Sequence, residues 1–318
     1  MSNLSPIGLS AYHRLEHVKK TVQALKHNFL APESELFIFS DAPKSGDEEK
    51  VYMVREYLKT INGFKNVTVV ERTNNSRVKN NRGGIKFLLE EYGKIIFLEE
   101  DILTSPNFLT FMNRALDFYK DDDRIISISG YSPPIIISNN YTKDIYLSYR
   151  FSAWGFGVWK DRYDMIDFNL NGIKDFFLNN LGLREFCRGG EDMLPMLLYE
   201  SEGELDALDV KFFYTQYKKN MYTIYPKESL VQNIGFDGSG LHCGESNKFN
   251  TEVDRNKRVH FFERNIEIDP HIMAANFQFR KIPFKHKIKL ILTKRPLRSV
   301  LIRTLISDLF FKRSMMLS

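Results

Sequence analysis

Cysteine is nearly absent from this chain, which carries only Cys187 and Cys243 in 318 residues. Two thiols cannot build a disulfide framework, and without a second Cys or His pair they give no zinc spacing. A reducing compartment is therefore expected. No stretch of 18 apolar residues occurs, which excludes a simple transmembrane helix. Met1 to Glu16 lacks the charged-then-apolar plan of a signal peptide, so the expectation is a chain neither spanning nor secreted by that route. Internal repeats and low-complexity segments are also missing, which excludes solenoid architectures.

What is present is the composition of a globular protein, 43% hydrophobic and 27% charged, long enough for one large domain or two smaller ones. The 26 Phe and 15 Tyr favour a filled core and flat surfaces on which a sugar ring can stack. Charge is unevenly placed. Arg280 to Ser318 holds 11 Lys or Arg against the single acid Asp308, leaving 34 basic and 39 acidic residues in the rest. The chain reads as a mildly acidic body with a strongly basic tail.

The first 130 residues alternate between strand and helix patterns. Strands are predicted at Pro6 to Ala11, Leu36 to Phe39, Val67 to Val70, Ile95 to Leu98 and Ile125 to Ser129. Helices are predicted at Leu15 to Leu25, Glu48 to Leu58, Gly84 to Tyr92 with Gly93 as its stop, and from an N-cap at Ser105 through Tyr119. Such alternation implies a mostly parallel sheet with helices on both faces.

The fourth strand ends in Glu99-Glu100-Asp101, three carboxylates at the edge where α/β sheets bind ligands. Alternation places Glu99 and Asp101 on one face and Glu100 on the other. Adjacent carboxylates repel, and a divalent cation that also bridges to phosphates relieves the repulsion. The same acids would equally suit a solvated loop, and alone they leave both readings open.

Further along, Phe151 to Trp159 packs Trp154 and Trp159 around Gly155 and Gly157, suiting either a sugar platform or a core-filling turn. Arg188-Gly-Gly-Glu-Asp192 sets two acids before an apolar helix, where they could cap it or where one could act as a general base. Asn233 to His242 is a glycine-rich loop whose amides could cradle a diphosphate.

Together these pieces resemble the bacterial sugar-nucleotide transferases related to N-acetylglucosaminyltransferase I, of the GT-A fold. The resemblance runs from about Pro6 to His242. It rests on Ser40-Asp41, Leu98 to Phe108, Ser127 to Tyr131, Ser152 to Gly155, Gly189 to Leu194 and Gln232 to Gly240, in the family's order. The family more often has Glu-Asp-Asp where this chain has Glu-Glu-Asp.

By this resemblance Asp101 is the ligand of a Mn²⁺ or Mg²⁺ ion. Arg14, Asp41, Asn80, Arg82, Glu99, Glu100 and His242 are implied to contact the nucleotide-diphosphate sugar. Asp41 would accept from a uracil-type base, and Glu100 would meet the ribose. Trp154, Gly155 and Glu191 would line the acceptor side, and Asp192 would be the catalytic base. The implied activity is a metal-dependent inverting transfer from a nucleotide sugar, read as a UDP-sugar, to a glycan or lipid-linked acceptor in surface polysaccharide synthesis.

A sugar nucleotidyltransferase is the rival enzyme, but Ser10 to Arg14 lacks its glycine-rich loop. A non-catalytic binding protein would tolerate losing Asp101 or Asp192, and both are kept. Three regions are expected: 1–130 for the nucleotide sugar, 131–279 for acceptor and catalysis, and 280–318 as a basic amphipathic helical tail. Between Phe284 and Phe311 apolar residues recur three and four apart among basic ones, with Pro296 separating two helical pieces. The tail suits either a solvated basic helix packed on its own domain or docking on an anionic membrane, and docking is the expectation, placing the protein in the cytoplasm, peripheral on the inner face of the membrane. No nucleic-acid module accompanies it.

Overall fold

The computed structural model of the protein describes residues 4–239, 246–253 and 259–293. The chain divides into two compact units, Met1–Met165 with Met221–Ile268, and Ile166–Asn220 with Asp269–Ser318.

The first unit opens with β1 (Ile7–Ala11), α1 (Leu15–Lys26), β2 (Glu35–Ser40), α2 (Glu48–Leu58), β3 (Asn66–Glu71), α3 (Arg77–Tyr92) and β4 (Lys94–Glu99). It continues through β5 (Ile102–Thr104), α4 (Phe108–Tyr119), β6 (Ile125–Ser129), β7 (Ile145–Ser148), β8 (Phe156–Trp159) and α5 (Lys160–Asp164). The second unit supplies α6 (Ile173–Phe176), α7 (Asn180–Phe186), α8 (Met193–Ser201) and α9 (Leu208–Lys219). The chain then returns to the first unit for β9 (Tyr222–Pro226) and β10 (Val231–Asn233), and to the second for α10 (Pro270–Phe279) and α11 (Phe284–Thr293).

Eight strands form one sheet in the order β3-β2-β1-β4-β8-β6-β9-β7. Pairing is parallel from β3 through β4 and between β6 and β9, while β8 and β7 run against their neighbours. The expected α/β class with a mostly parallel sheet is the architecture observed. Alternation along β1 explains how both faces are covered. Ile7 and Leu9 join Val18, Val22 and Leu25 of α1 and Phe111, Met112 and Leu116 of α4 in one core cluster. Gly8 faces the other way, where a Cβ would lie 2.6 Å from Phe97 and 3.0 Å from Leu88 of α3. The missing side chain is what lets α3 seat on the sheet.

Two helix starts and one short strand differ from the sequence expectation. Helix α3 starts at Arg77, seven residues before Gly84, because the Ser76 hydroxyl caps it by accepting from Lys79 N. Gly84 is thus interior to the helix, pressed on Phe39 of β2. Helix α4 starts at Phe108, since Ser105 Oγ accepts from Asn107 N in a turn that delays the first helical residue. The strand β5, which the sequence reading did not include, pairs antiparallel with β10 in a second small sheet.

The second unit is helical. Leu183, Phe186, Leu194, Leu197, Val210 and Phe213 form the centre of its own apolar cluster. Among the described residues no helix is long and apolar enough to cross a membrane.

Candidate functional site

Strand β1 lies between β2 and β4, so the chain order reverses there, and the loops after these strands converge on one crevice. The crevice is a cavity of about 270 Å³ in the first unit. The turn after β1 brings Tyr12, His13 and Arg14, the turn after β2 brings Asp41, and the end of β4 brings Glu99, Glu100 and Asp101. Asn80 of α3 and Trp154 ahead of β8 complete the predicted residues that line it.

Arg14 organises the acids. Its Nε donates to Glu100 Oε1 and its Nη2 to Asp101 Oδ2, each at 2.7 Å. Burial works against the Arg14 charge, but the two carboxylates raise its pKa on balance. Burial is likewise the largest influence on Glu100 and raises its pKa, opposed by the charge and hydrogen bond of Arg14. Glu100 Oε2 also accepts from Tyr12 N. Two atoms stay unspent: Asp101 Oδ1 and Arg14 Nη1 are buried without a hydrogen-bond partner among the described residues. Buried polar atoms cost free energy unless satisfied, so this pair marks a place built for a ligand.

The fit to a divalent ion can be judged from those atoms. Among the described residues no group of three or more His, Cys, Asp or Glu forms a metal cage. A single buried carboxylate oxygen does match how Mg²⁺-like ions are held, by one or two carboxylates plus the phosphates of a substrate.

The glycine-rich loop meets this centre. Ile234 N donates to Asp101 O at 2.9 Å, and Gly235 N donates to Asn233 Oδ1 at 2.7 Å. A Cβ on Gly235 would lie 2.2 Å from Asp101 Oδ2, so only glycine lets the backbone pass so close. Tyr12 and Asn75 were not singled out by sequence, and Asn233 and Gly235 only as part of the glycine-rich loop. Each could have been sought in the turns following the strands.

Several predicted contacts are engaged inside the protein. The Asp41 carboxylate accepts from Ala42 N, Ser76 N and Asn75 Nδ2, tying the β2 end to the start of α3. Asn80 Nδ2 donates to Phe39 O at 2.8 Å, and its Oδ1 accepts from Arg72 Nε. Glu99 Oε1 accepts from Asn81 Nδ2, whose Oδ1 takes the Ser10 hydroxyl. Arg82 does not line the cavity and acts on Tyr163 through its charge. The two tryptophans divide their work. Trp154 lines the cavity amid Tyr131, Phe236 and Phe249, whereas Trp159 is core and donates Nε1 to Leu116 O. Gly155, at φ +66, accepts from Gly130 N behind the cavity wall. His242 lies outside the described residues.

Glu191 and Asp192 belong to the second unit. Asp192 is the N-cap residue of α8, yet its side chain makes no capping hydrogen bond. Arg280 Nη1 lies 3.8 Å from Asp192 Oδ2, and Glu191 pairs with Lys287.

A search of protein-family models finds no match, and neither does a search of curated proteins. Among solved structures the chain is similar to S. aureus TarS, at 12% identity and TM-score 0.43 over 72% of this chain and 36% of that one. It is also similar to GalNAc-T7 solved with UDP, GalNAc and Mn²⁺, at 12% identity and TM-score 0.42 over 71% of this chain and 43% of that one. A third is the mannosyltransferase PcManGT from Pyrobaculum calidifontis with GDP-Man and Mn²⁺, at 12% identity and TM-score 0.33 over 49% of this chain and 44% of that one. The chain spans less than half the length of each of these structures.

Proposed function

We propose that this protein is a metal-dependent inverting glycosyltransferase of the GT-A class. It takes a sugar from a nucleotide diphosphate, read as UDP, and places it on a hydroxyl of a glycan or lipid-linked acceptor. The observation that carries this reading is the strand-end cavity in which Asp101 Oδ1 and Arg14 Nη1 are buried with hydrogen-bonding capacity unspent. The relation to N-acetylglucosaminyltransferase I rests on the sequence motifs.

Arg14 Nη1 donates to the diphosphate, and the amides around Gly235 approach it closely. Asp101 Oδ1 would hold a Mn²⁺ or Mg²⁺ ion, which would supply Lewis-acid neutralisation of the leaving group. Trp154 offers its flat face to a sugar ring. Asp192 takes the proton of the acceptor hydroxyl, an effect worth about 10²–10⁴-fold in rate. The acceptor oxygen bonds the anomeric carbon as the bond to the diphosphate breaks, so one displacement inverts the centre.

The tail contributes localisation. On α11, Phe284 and Ile288 stand one turn apart and exposed, with Lys285 exposed on the same helix and Lys281 exposed in the segment before it. An apolar ridge flanked by lysines suits an anionic membrane, each basic residue adding about 1 kcal/mol. This supports a peripheral site at the inner face of the cytoplasmic membrane, where a lipid-linked acceptor for surface polysaccharide is presented.

The test is a panel of nucleotide sugars with Mn²⁺ or Mg²⁺, read as thermal stabilisation and then as sugar transfer. One donor class should stabilise the protein in a metal-dependent way. No stabilisation by any nucleotide sugar with either ion would overturn the reading. For the tail, Phe284→Ser with Ile288→Ser in the full chain should weaken binding to phosphatidylserine vesicles, and unchanged binding would sink the membrane assignment.

A further inference from the structure

The acids preceding α8 are not held by their own helix. Acids at a helix N-terminus are favoured by its dipole, yet Asp192 makes no side-chain capping bond. The residue before Glu191 is the buried Gly190, at φ +144, a conformation that favours glycine. Both are met by residues some ninety positions away in sequence. Glu191 Oε2 accepts from Ile282 N at 2.8 Å, and Oε1 pairs with Lys287 Nζ of α11. Arg280, the C-cap residue of α10, brings Nη1 to 3.8 Å from Asp192 Oδ2.

The exposures sort these groups by role. The side chains of Glu191 and Lys287 are 14% and 19% exposed, and that of Arg280 8%, whereas Asp192 retains 31%. The contacts that hold the loop are largely withdrawn from water, where breaking an ion pair is costly. The carboxylate beside them remains reachable by a substrate. All these residues lie within the second unit.

We propose that Arg280, Ile282 and Lys287 form a brace that sets the position of Asp192, with Lys287 as the positioning residue acting through Glu191. The proposal rests on Asp192 as the base. It gives the start of the basic tail a part in the reaction beyond any docking. Lys287 shares α11 with the exposed Phe284 and Ile288, so a surface that engages this helix engages the brace as well.

The test uses full-length chains carrying Lys287→Met, Lys287→Arg, the charge exchange Glu191→Lys with Lys287→Glu, and Asp192→Asn. Amide hydrogen exchange is followed over residues 187–196, with kcat and KM for UDP-N-acetylglucosamine and Mn²⁺ as the donor probe. Lys287→Met should raise exchange in that loop at least about 10-fold and lower kcat by about 10- to 10²-fold, since ångström misplacement of a catalytic group carries such costs. The donor KM should stay within about 2-fold, because donor binding does not draw on the loop. Lys287→Arg should restore both readouts, and the charge exchange should restore part of each. Loop exchange in Lys287→Met equal to wild type would overturn the brace. So would a loss that Lys287→Arg fails to repair, or one spread through α8 and α9 with a lowered Tm. Asp192→Asn separates this failure from that of the base assignment. Full transfer by Asp192→Asn removes Asp192 as the base, whereas its inactivity beside a fully active Lys287→Met removes only the brace.

Discussion

The two acidic centres of this protein are satisfied in opposite ways. At the end of β4, Glu100 and Asp101 share the guanidinium of Arg14 and are almost wholly buried, yet one carboxylate oxygen and one guanidinium nitrogen are left without partners among the described residues. Ahead of α8, both oxygens of Glu191 are engaged by Lys287 and Ile282, and the neighbouring Asp192 stays partly open to solvent. In the proposed reading, the buried centre with unspent hydrogen-bonding capacity is the one that binds the diphosphate and its ion. In the same reading, the partly open carboxylate beside the Glu191–Lys287 pair is the one that exchanges a proton. The division of labour proposed for the two units follows from that contrast.

The sharpest way to break the comparison is to neutralise each aspartate in turn. Asp101→Asn should abolish metal-dependent donor binding and transfer together, because it removes the charge on the buried oxygen. Asp192→Asn should leave donor binding intact while lowering turnover at least about 10²-fold. Transfer at the wild-type rate by Asp192→Asn would assign the base elsewhere.

Next in size is Arg14→Met, which strands two buried carboxylates and should cost about 3–5 kcal/mol in thermal or denaturant unfolding. Its pH dependence is specific. Glu100 has a raised pKa in the folded protein, so its contribution to stability is present below the unfolded pKa and lost as pH rises through the folded one. Removing the guanidinium, which holds that pKa down, enlarges the loss. The deficit of Arg14→Met against wild type should therefore grow from pH 5 to pH 8, and a deficit independent of pH would contradict the pairing.

Gly235→Ala sharpens the comparison from the loop side. Its Cβ would lie 2.2 Å from an oxygen that Arg14 already holds, so stability should fall by about 1–3 kcal/mol and UDP binding with it. Gly238→Ala, at φ +83 with nothing within 4 Å, should cost about 1 kcal/mol and leave UDP binding unchanged. The smallest effect is expected for Ser76→Ala, about 1 kcal/mol for a lost cap at α3 measured by chemical denaturation.

What the sequence made legible follows the same boundary. The strand-end acids follow from the local pattern of strand and turn, Asp41 and Arg14 follow from the family resemblance, and the cavity gathers them together. The helix starts at Arg77 and Phe108 are not legible because a hydroxyl's choice of partner, cap or turn, is not written in residue type. Asp41 and Asn80 were legible as residues, but not their bonds to Ser76 N and Phe39 O, which depend on how neighbouring loops close. The brace on Glu191 was invisible for a plainer reason. Lys287 lies 96 residues from its partner, and no periodicity connects a basic tail to one glutamate.

The most direct test of the account is an equilibrium titration of UDP into the wild-type protein, with Mn²⁺ and again with EDTA, repeated on Asp101→Asn. The account predicts binding that Mn²⁺ tightens in the wild type, and no Mn²⁺ effect once Asp101 is changed. UDP binding of equal strength in all four titrations would contradict it.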